Sequence, residues 1–262
     1  MYKILKAMKE KKGSIIQTVA GLVILIAGIV LCINTYVVKG NKAYAVSLLT
    51  AIVGAVILIS GLYSLFSKNE KKPIDAKVIA QAALCAALCY VGATFIKIDI
   101  PVGTERTMFH FGNVFCVLAA LLLGGTWGGL AGAVGMTISD LTTAYVTSAP
   151  KTFFLKLCIG LIVGFVAHRL FKLSKEHSVK YVTIATVVSS VCGMLFNVVA
   201  DPIVGYFYKT YLLGVPQDLA KALAKVGAVT TSVNAVIAVV VASIIYLALR
   251  PVMKKSDMLR DL

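Results

Sequence analysis

The stretch "HFGNVFCVLAALLLGGTWGGLAGAVGMTISD", from His110 to Asp140, decides the fold. Two apolar halves meet at GGTWGG (Gly124 to Gly129), and a histidine, an asparagine and an aspartate interrupt a segment otherwise suited to lipid. The stretch reads as two membrane-crossing helices joined by a tight turn. Its polar groups should face neighbouring helices and an internal site, because ionisable groups inside a membrane are costly unless they are paired or reach water. GGTWGG itself does not read as a phosphate-cradling loop, since no Gly-Lys-Ser/Thr follows and no strand precedes it. Trp127 suits an interface anchor.

The same character extends through the chain. Of 262 residues, 59% are hydrophobic and 14% charged, with a mean hydropathy of +0.91, well beyond what one soluble core requires. Apolar runs bounded by charge, Gly or Pro predict eight helices: Ser14 to Val37, Ala43 to Phe66, and about 78–96, 109–123, 127–144, 151–171, 180–200 and 225–249. Crossing about 30 Å of hydrocarbon takes roughly 20 apolar residues, and at these lengths helices satisfy their own backbone in lipid. An all-α integral membrane protein is therefore expected, with the first run an uncleaved helix rather than a signal peptide. Its units would be an N-terminal hairpin (1–67) joined through "KGNK", a linker (68–77) and a six-helix domain (78–262).

Lys and Arg outnumber the acids 26 to 11, but they lie mostly between apolar runs. This points to topology signals rather than nucleic-acid binding. Alternate assignment of the loops puts 17 of them with the two termini and eight on the opposite side, so the positive-inside rule places both termini in the cytoplasm. The lysine-rich "MYKILKAMKEKK" fits that orientation role. "GLVILIAG" (Gly21 to Gly28) and "GAVILISG" (Gly54 to Gly61) each carry glycines seven apart on one face, which suits close packing of two helices or docking of another membrane subunit. The six cysteines fall in apolar segments without metal or disulfide spacing. They read as packing residues.

Candidate site residues follow from polarity inside the spans. Asp140 and Lys156 should lie at comparable depth and form, or nearly form, an ion pair. His110 and Asn113 stand three apart at the outer end of their helix, Asn197 and Asp201 four apart near the outer end of theirs, and Asn234 in the outer half of the last. Polar groups from four helices at one depth suggest a pocket open to the outside. The connection "KIDIPVGTERTM" (Lys97 to Met108) carries Lys97, Asp99, Glu105 and Arg106 and reads equally as a lid or a solvated loop. Aromatic residues between Asp201 and Lys221 would stack on a flat ligand or anchor at the interface. There is no metal-ligand cluster, no cofactor motif, no nucleophile with a base and no paired acids. An enzyme is not expected.

From about Lys77 to Arg250 the chain resembles the substrate-binding S component of an energy-coupling factor (ECF) transporter. The resemblance rests on "HFGNVFCVLAALLLGGTWGGLAGAVGMTISDL" and "APKTFFLKLCIGLIVGFVAH" (Ala149 to His168), which are similar to the riboflavin-type branch. It implies a six-helix vitamin-binding protein of the cell membrane, embedded in lipid. Such a protein captures riboflavin, pyridoxine or a thiamin precursor from outside and works with a transmembrane coupling subunit and two cytoplasmic ATPases. It further implies that the small residues of "AALCAAL", Ala82, Ala83, Ala86 and Ala87, contact the coupling subunit, that Lys97 to Met108 encloses the ligand, and that Asn197 and Asn234 line its pocket. The N-terminal hairpin departs from the family pattern. Two alternatives stay open: an ion-coupled secondary transporter with Asp140 and Lys156 as a proton relay, though no inverted repeat is evident, and a non-transporting scaffold.

Overall fold

A computed structural model describes residues 2–35, 42–66 and 76–256, with side chains at 12–35, 42–62 and 76–256. Most of the "KGNK" connection and of the linker lies outside the described residues, as do the side chains of all but one of the first five lysines. The chain divides into two compact units, Met1–Ile74 and Asp75–Leu262.

The first unit is an antiparallel pair, α1 (Tyr2–Thr35) and α2 (Lys42–Phe66). Its glycine seam is the contact itself. Gly21 abuts Leu58, Gly28 abuts Ala51, Gly54 abuts Leu25 and Gly61 abuts Thr18, and a Cβ at any of the first three would lie 2.3 Å from a backbone nitrogen across the interface. Small residues seven apart thus bring two backbones together. Gln17 donates to the Ser60 hydroxyl at 3.0 Å, a polar rung in an otherwise greasy pair. Branched side chains such as Ile16, Val23, Ile33 and Ile59 point outward and are exposed.

The second unit contains α3 (Ala76–Thr94), a β-hairpin, α4 (Gly112–Thr142), α5 (Ala149–Gly164), α6 (Val179–Phe207) and α7 (Gln217–Lys255). Among the described residues, seven helices are long and apolar enough to cross a membrane. One of them, α4, is two antiparallel arms, because Gly124 leaves the helix at φ 80°, ψ 174°, a conformation essentially reserved for glycine. Beyond this reversal Gly128 packs on Ala120, Gly132 on Cys116 and Met136 on Gly112. The turn read from GGTWGG is therefore present, centred on its first glycine.

The first arm, Gly112 to Leu123, starts later than expected because Phe109 and His110 belong to a strand. At 1.5 Å per residue it is only about 18 Å long. It forms the centre of the unit, with Cys116, Val117, Ala119, Ala120 and Leu121 wholly buried, as befits a helix that is apolar all round. α3, α5, α6 and α7 surround it and expose Leu84, Phe154, Leu195 and Val236.

The all-α expectation holds for the body but misses two strands. β1 (Lys97–Val102) and β2 (Glu105–His110) pair antiparallel from Lys97↔His110 to Val102↔Glu105. The tight turn between them needs Gly103 at φ +61°. α6 and α7 also run beyond the predicted spans. α6 continues past Pro202 and through a π-helical turn at Tyr208–Leu212. The start of α7 is amphipathic, burying Ala220 and Leu223 while exposing Lys221, a pattern that a search for uninterrupted apolar runs passes over.

Candidate functional site

The β-hairpin covers one end of the second unit and is tied down on three sides. The Asn234 side chain accepts from the His110 backbone N–H at 3.0 Å and donates to the Met108 carbonyl at 3.1 Å. Thr107 and Thr230 share a 3.1 Å hydroxyl contact, and Lys209 pairs with Glu105 at 2.8 Å. On the third side, the Tyr145 hydroxyl lies 2.7 Å from Asp99 and 3.1 Å from the Thr107 carbonyl. Partial burial raises the Asp99 pKa, but bonds from Tyr145 and Lys97 outweigh it and hold the carboxyl below its usual value. Such a group contributes fully above the ordinary carboxylate pKa of about 3.9 and loses its contribution as pH falls through the lower folded value. The Asp99 tether is therefore constant between pH 5 and 8.

Beneath the hairpin lies a cavity of about 120 Å³. Among the sequence candidates, Arg106, His110, Asn113, Asp140, Lys156, Asn197, Asp201 and Asn234 line it, whereas Lys97, Asp99 and Glu105 do not. Those three instead hold the cover: Lys97 bonds to Asp99 at 3.1 Å, Asp99 meets Tyr145 and Glu105 meets Lys209. His110 sits at the end of β2 rather than on a helix with Asn113. Its Nδ1 accepts from the Gly112 N–H at 3.1 Å, and the short step through Phe111 still brings both residues to the cavity.

The direct Asp140–Lys156 pair does not form, since the two charged groups do not come within 4.0 Å. Asp140 accepts instead from the Thr152 hydroxyl at 2.5 Å, and Lys156 reaches the Asn197 oxygen at 3.5 Å. The physical reason is spacing on α5: Thr152 stands one turn before Lys156 on the same face and intercepts the carboxylate. An ion pair beside the cavity joins Lys151 to Asp201 at 2.8 Å, and Thr231 adds a 3.0 Å bond to the other oxygen.

Sequence reasoning missed Lys151, Thr152, Tyr145, Lys209, Thr230 and Thr231, all of which line the cavity. The available signal was periodicity, because Thr152 and Lys156 repeat at four on α5, as do Thr230 and Asn234 on α7. The buried oxygen of Asn113 has no hydrogen-bond partner among the described residues. An orphaned buried acceptor costs about 1–3 kcal/mol, so the cavity offers a place for a ligand donor. Fixed amides, hydroxyls and cations around one space can hold a polar heterocycle by hydrogen bonds.

The proposed coupling residues separate. Ala82 and Ala86 turn inward, with a Cβ at Gly135 of α4 placed 2.1 Å from the Ala86 carbonyl oxygen, while Ala83 and Ala87 are exposed.

Residues 74–251, more than half of the chain, match the family model described as ECF-type riboflavin transporter, S component. The chain belongs to this family. The family is one of substrate-binding subunits of membrane transporters, not of enzymes, and the seven apolar helices among the described residues make this S component a multi-pass membrane protein. Over 74 residues it is 34% identical to a Pyrococcus woesei protein described as "Uncharacterized protein in gap 3'region". That similarity covers 28% of this S component and spans about half, 49%, of the curated relative. No solved structure matches the S component.

Proposed function

We propose that this chain captures riboflavin, or a closely similar flat vitamin, from outside the cell and delivers it to an ATP-driven importer completed by a transmembrane coupling subunit and two cytoplasmic ATPases. The observation that carries the reading is the cavity under the hairpin, where polar groups from α4, α5, α6 and α7 converge and the Asn113 oxygen waits for a donor. The substrate-binding set is Arg106, His110, Asn113, Asp140, Lys156, Asn197, Asp201 and Asn234. Lys97, Asp99 and Glu105 act through the cover. Both termini lie in the cytoplasm, so the hairpin end faces out. The exposed Ala83 and Ala87 are the small-residue face offered to the coupling subunit, and the N-terminal hairpin is a separate module ahead of the six-helix domain.

The test is equilibrium binding of riboflavin to the purified full chain, read by flavin fluorescence. Saturable one-to-one binding is expected, and Lys156→Met should weaken it at least tenfold, about 1.4 kcal/mol. Absence of binding by riboflavin, pyridoxine and thiamin precursors alike would defeat the proposal. Uptake by the chain alone in liposomes, driven by a proton or sodium gradient, would instead favour the ion-coupled reading.

Tyr145→Phe tests the cover. Loss of the hydroxyl bonds, about 1–2 kcal/mol with a charged acceptor involved, should speed hydrogen exchange at β1 and β2 amides roughly tenfold without changing exchange in α5. Equal exchange in wild type and variant would show that Tyr145 does not tether the hairpin.

A further inference from the structure

A second cavity, a groove of about 490 Å³, opens at the opposite end of the same unit, between the Gly124 reversal and the end of α5. Gly164 packs against Gly125 at its base, where a Cβ would sit 2.0 Å from the Gly125 nitrogen. Its walls are Leu123, Trp127, Leu161 and Phe165, with Arg169 among the lining residues. The π-helical turn Phe165–Leu170 decides which side chain faces which way. His168 is buried against the Leu121 carbonyl at 3.0 Å and the Ser174 hydroxyl at 3.1 Å, so both of its ring nitrogens are engaged. Arg169, by contrast, is exposed and has no carboxylate within 4.0 Å among the described residues.

The charge at this end of the unit has one sign. The end of α5 and the loop after it, the start of α6 and the end of α7 carry Arg169, Lys172, Lys175, Lys180, Arg250, Lys254 and Lys255 against the single acid Glu176, which is already paired with Lys254. Arg250 is spent on the carbonyls of Leu173 and Lys175, both at 3.0 Å. Arg169 thus remains an uncommitted cation beside an apolar, aromatic-walled groove. A free inorganic anion would use only the arginine, and a neutral lipid only the walls. A basic site between helices at the membrane interface suits a lipid with an anionic headgroup, and the aromatic wall suits the depth at which headgroup meets chain.

We infer that this groove is a binding site for an anionic phospholipid, with Arg169 against the phosphate and Trp127, Leu161 and Phe165 against the upper acyl chain. The inference does not depend on what fills the cavity under the hairpin.

The test uses the full chain in detergent, with thermal unfolding measured after addition of phosphatidylglycerol, phosphatidylcholine or inorganic phosphate. Saturating phosphatidylglycerol should raise Tm by about 5–10 °C more than phosphatidylcholine does. Arg169→Gln should remove that difference, Arg169→Lys should restore part of it, and Lys255→Gln, which removes a charge from the same end outside the groove, should leave it intact. Equal effects of the two lipids on wild type, or a full phosphatidylglycerol effect in Arg169→Gln, would overturn the site. Stabilisation by phosphate alone to the same degree would overturn the lipid assignment. Riboflavin affinity should be the same in Arg169→Gln and wild type, which separates failure here from failure of the vitamin-binding reading.

Discussion

Gly164→Leu is expected to lower the unfolding temperature of the detergent-solubilised protein by roughly 6–12 °C, or to prevent its folding outright. A Cβ at Gly164 would meet the nitrogen and Cα of Gly125 at 2.0 and 2.2 Å, and one turn earlier a Cβ at Gly160 would meet the Gly129 Cα at 2.2 Å. Flexible side chains can swing away from an intruding methyl, but backbone cannot, so α5 and the second arm of α4 would have to separate. Overpacking usually costs about 1–3 kcal/mol, and contact between two backbones puts this site at about 3 kcal/mol or more, which for a chain of this size corresponds to the stated shift at roughly 2–4 °C per kcal/mol. Gly227→Ala is the control, because a Cβ there meets nothing within 4 Å. It should leave Tm unchanged or slightly raised. If Gly164→Leu unfolded at the wild-type temperature, the two helices would not abut as described.

Asn234→Ala should weaken ligand binding at least tenfold, about 1.4 kcal/mol, by a route that differs from simple loss of a ligand contact. Its amide spans two backbone groups of β2, the His110 N–H and the Met108 carbonyl. Truncation strands both, at about 1–3 kcal/mol for each group left unsatisfied. Part of that cost will be relieved by β2 lifting off α7, which opens the cover over the cavity. Asn234→Asp keeps an acceptor for the His110 N–H and loses the donor to Met108, so its affinity should fall between the two. Hydrogen exchange at β2 should rise in the same order as affinity falls. Unchanged riboflavin affinity in Asn234→Ala would remove this residue from the site.

How much of this was legible in the sequence depends on whether a feature is written in local chemistry or in partner choice. Hydropathy marked the helices because a span in lipid needs a long apolar run, and Gly124 marked the reversal because no other residue adopts its backbone readily. The seam from Gly21 to Gly28 against Gly54 to Gly61 was visible because small residues at helical spacing have few other uses in lipid. The β-hairpin was not visible, since its strands are six residues each, of mixed polarity, and the first is interrupted by Pro101. Nor was the partner of Asp140. Asp140, Lys156, Lys151 and Thr152 could combine in several ways, and the choice turns on differences of an ångström or two in the packing of α4 on α5. The split of "AALCAAL" into an inward pair, Ala82 and Ala86, and an outward pair, Ala83 and Ala87, likewise depends on which side of α3 meets Gly135.

The short first arm of α4 has a bearing on how solute can cross. It rises like a stopper through the middle of the second unit, and from Cys116 to Leu123 its side chains are sealed on all sides by neighbours. Asn113, at the head of this arm, lines the space under the hairpin, and below it the buried side chains of the arm fill the middle of the unit. Under the importer proposed above, a vitamin held there would reach the other leaflet by the whole site being carried or tipped across rather than by an opening at its base.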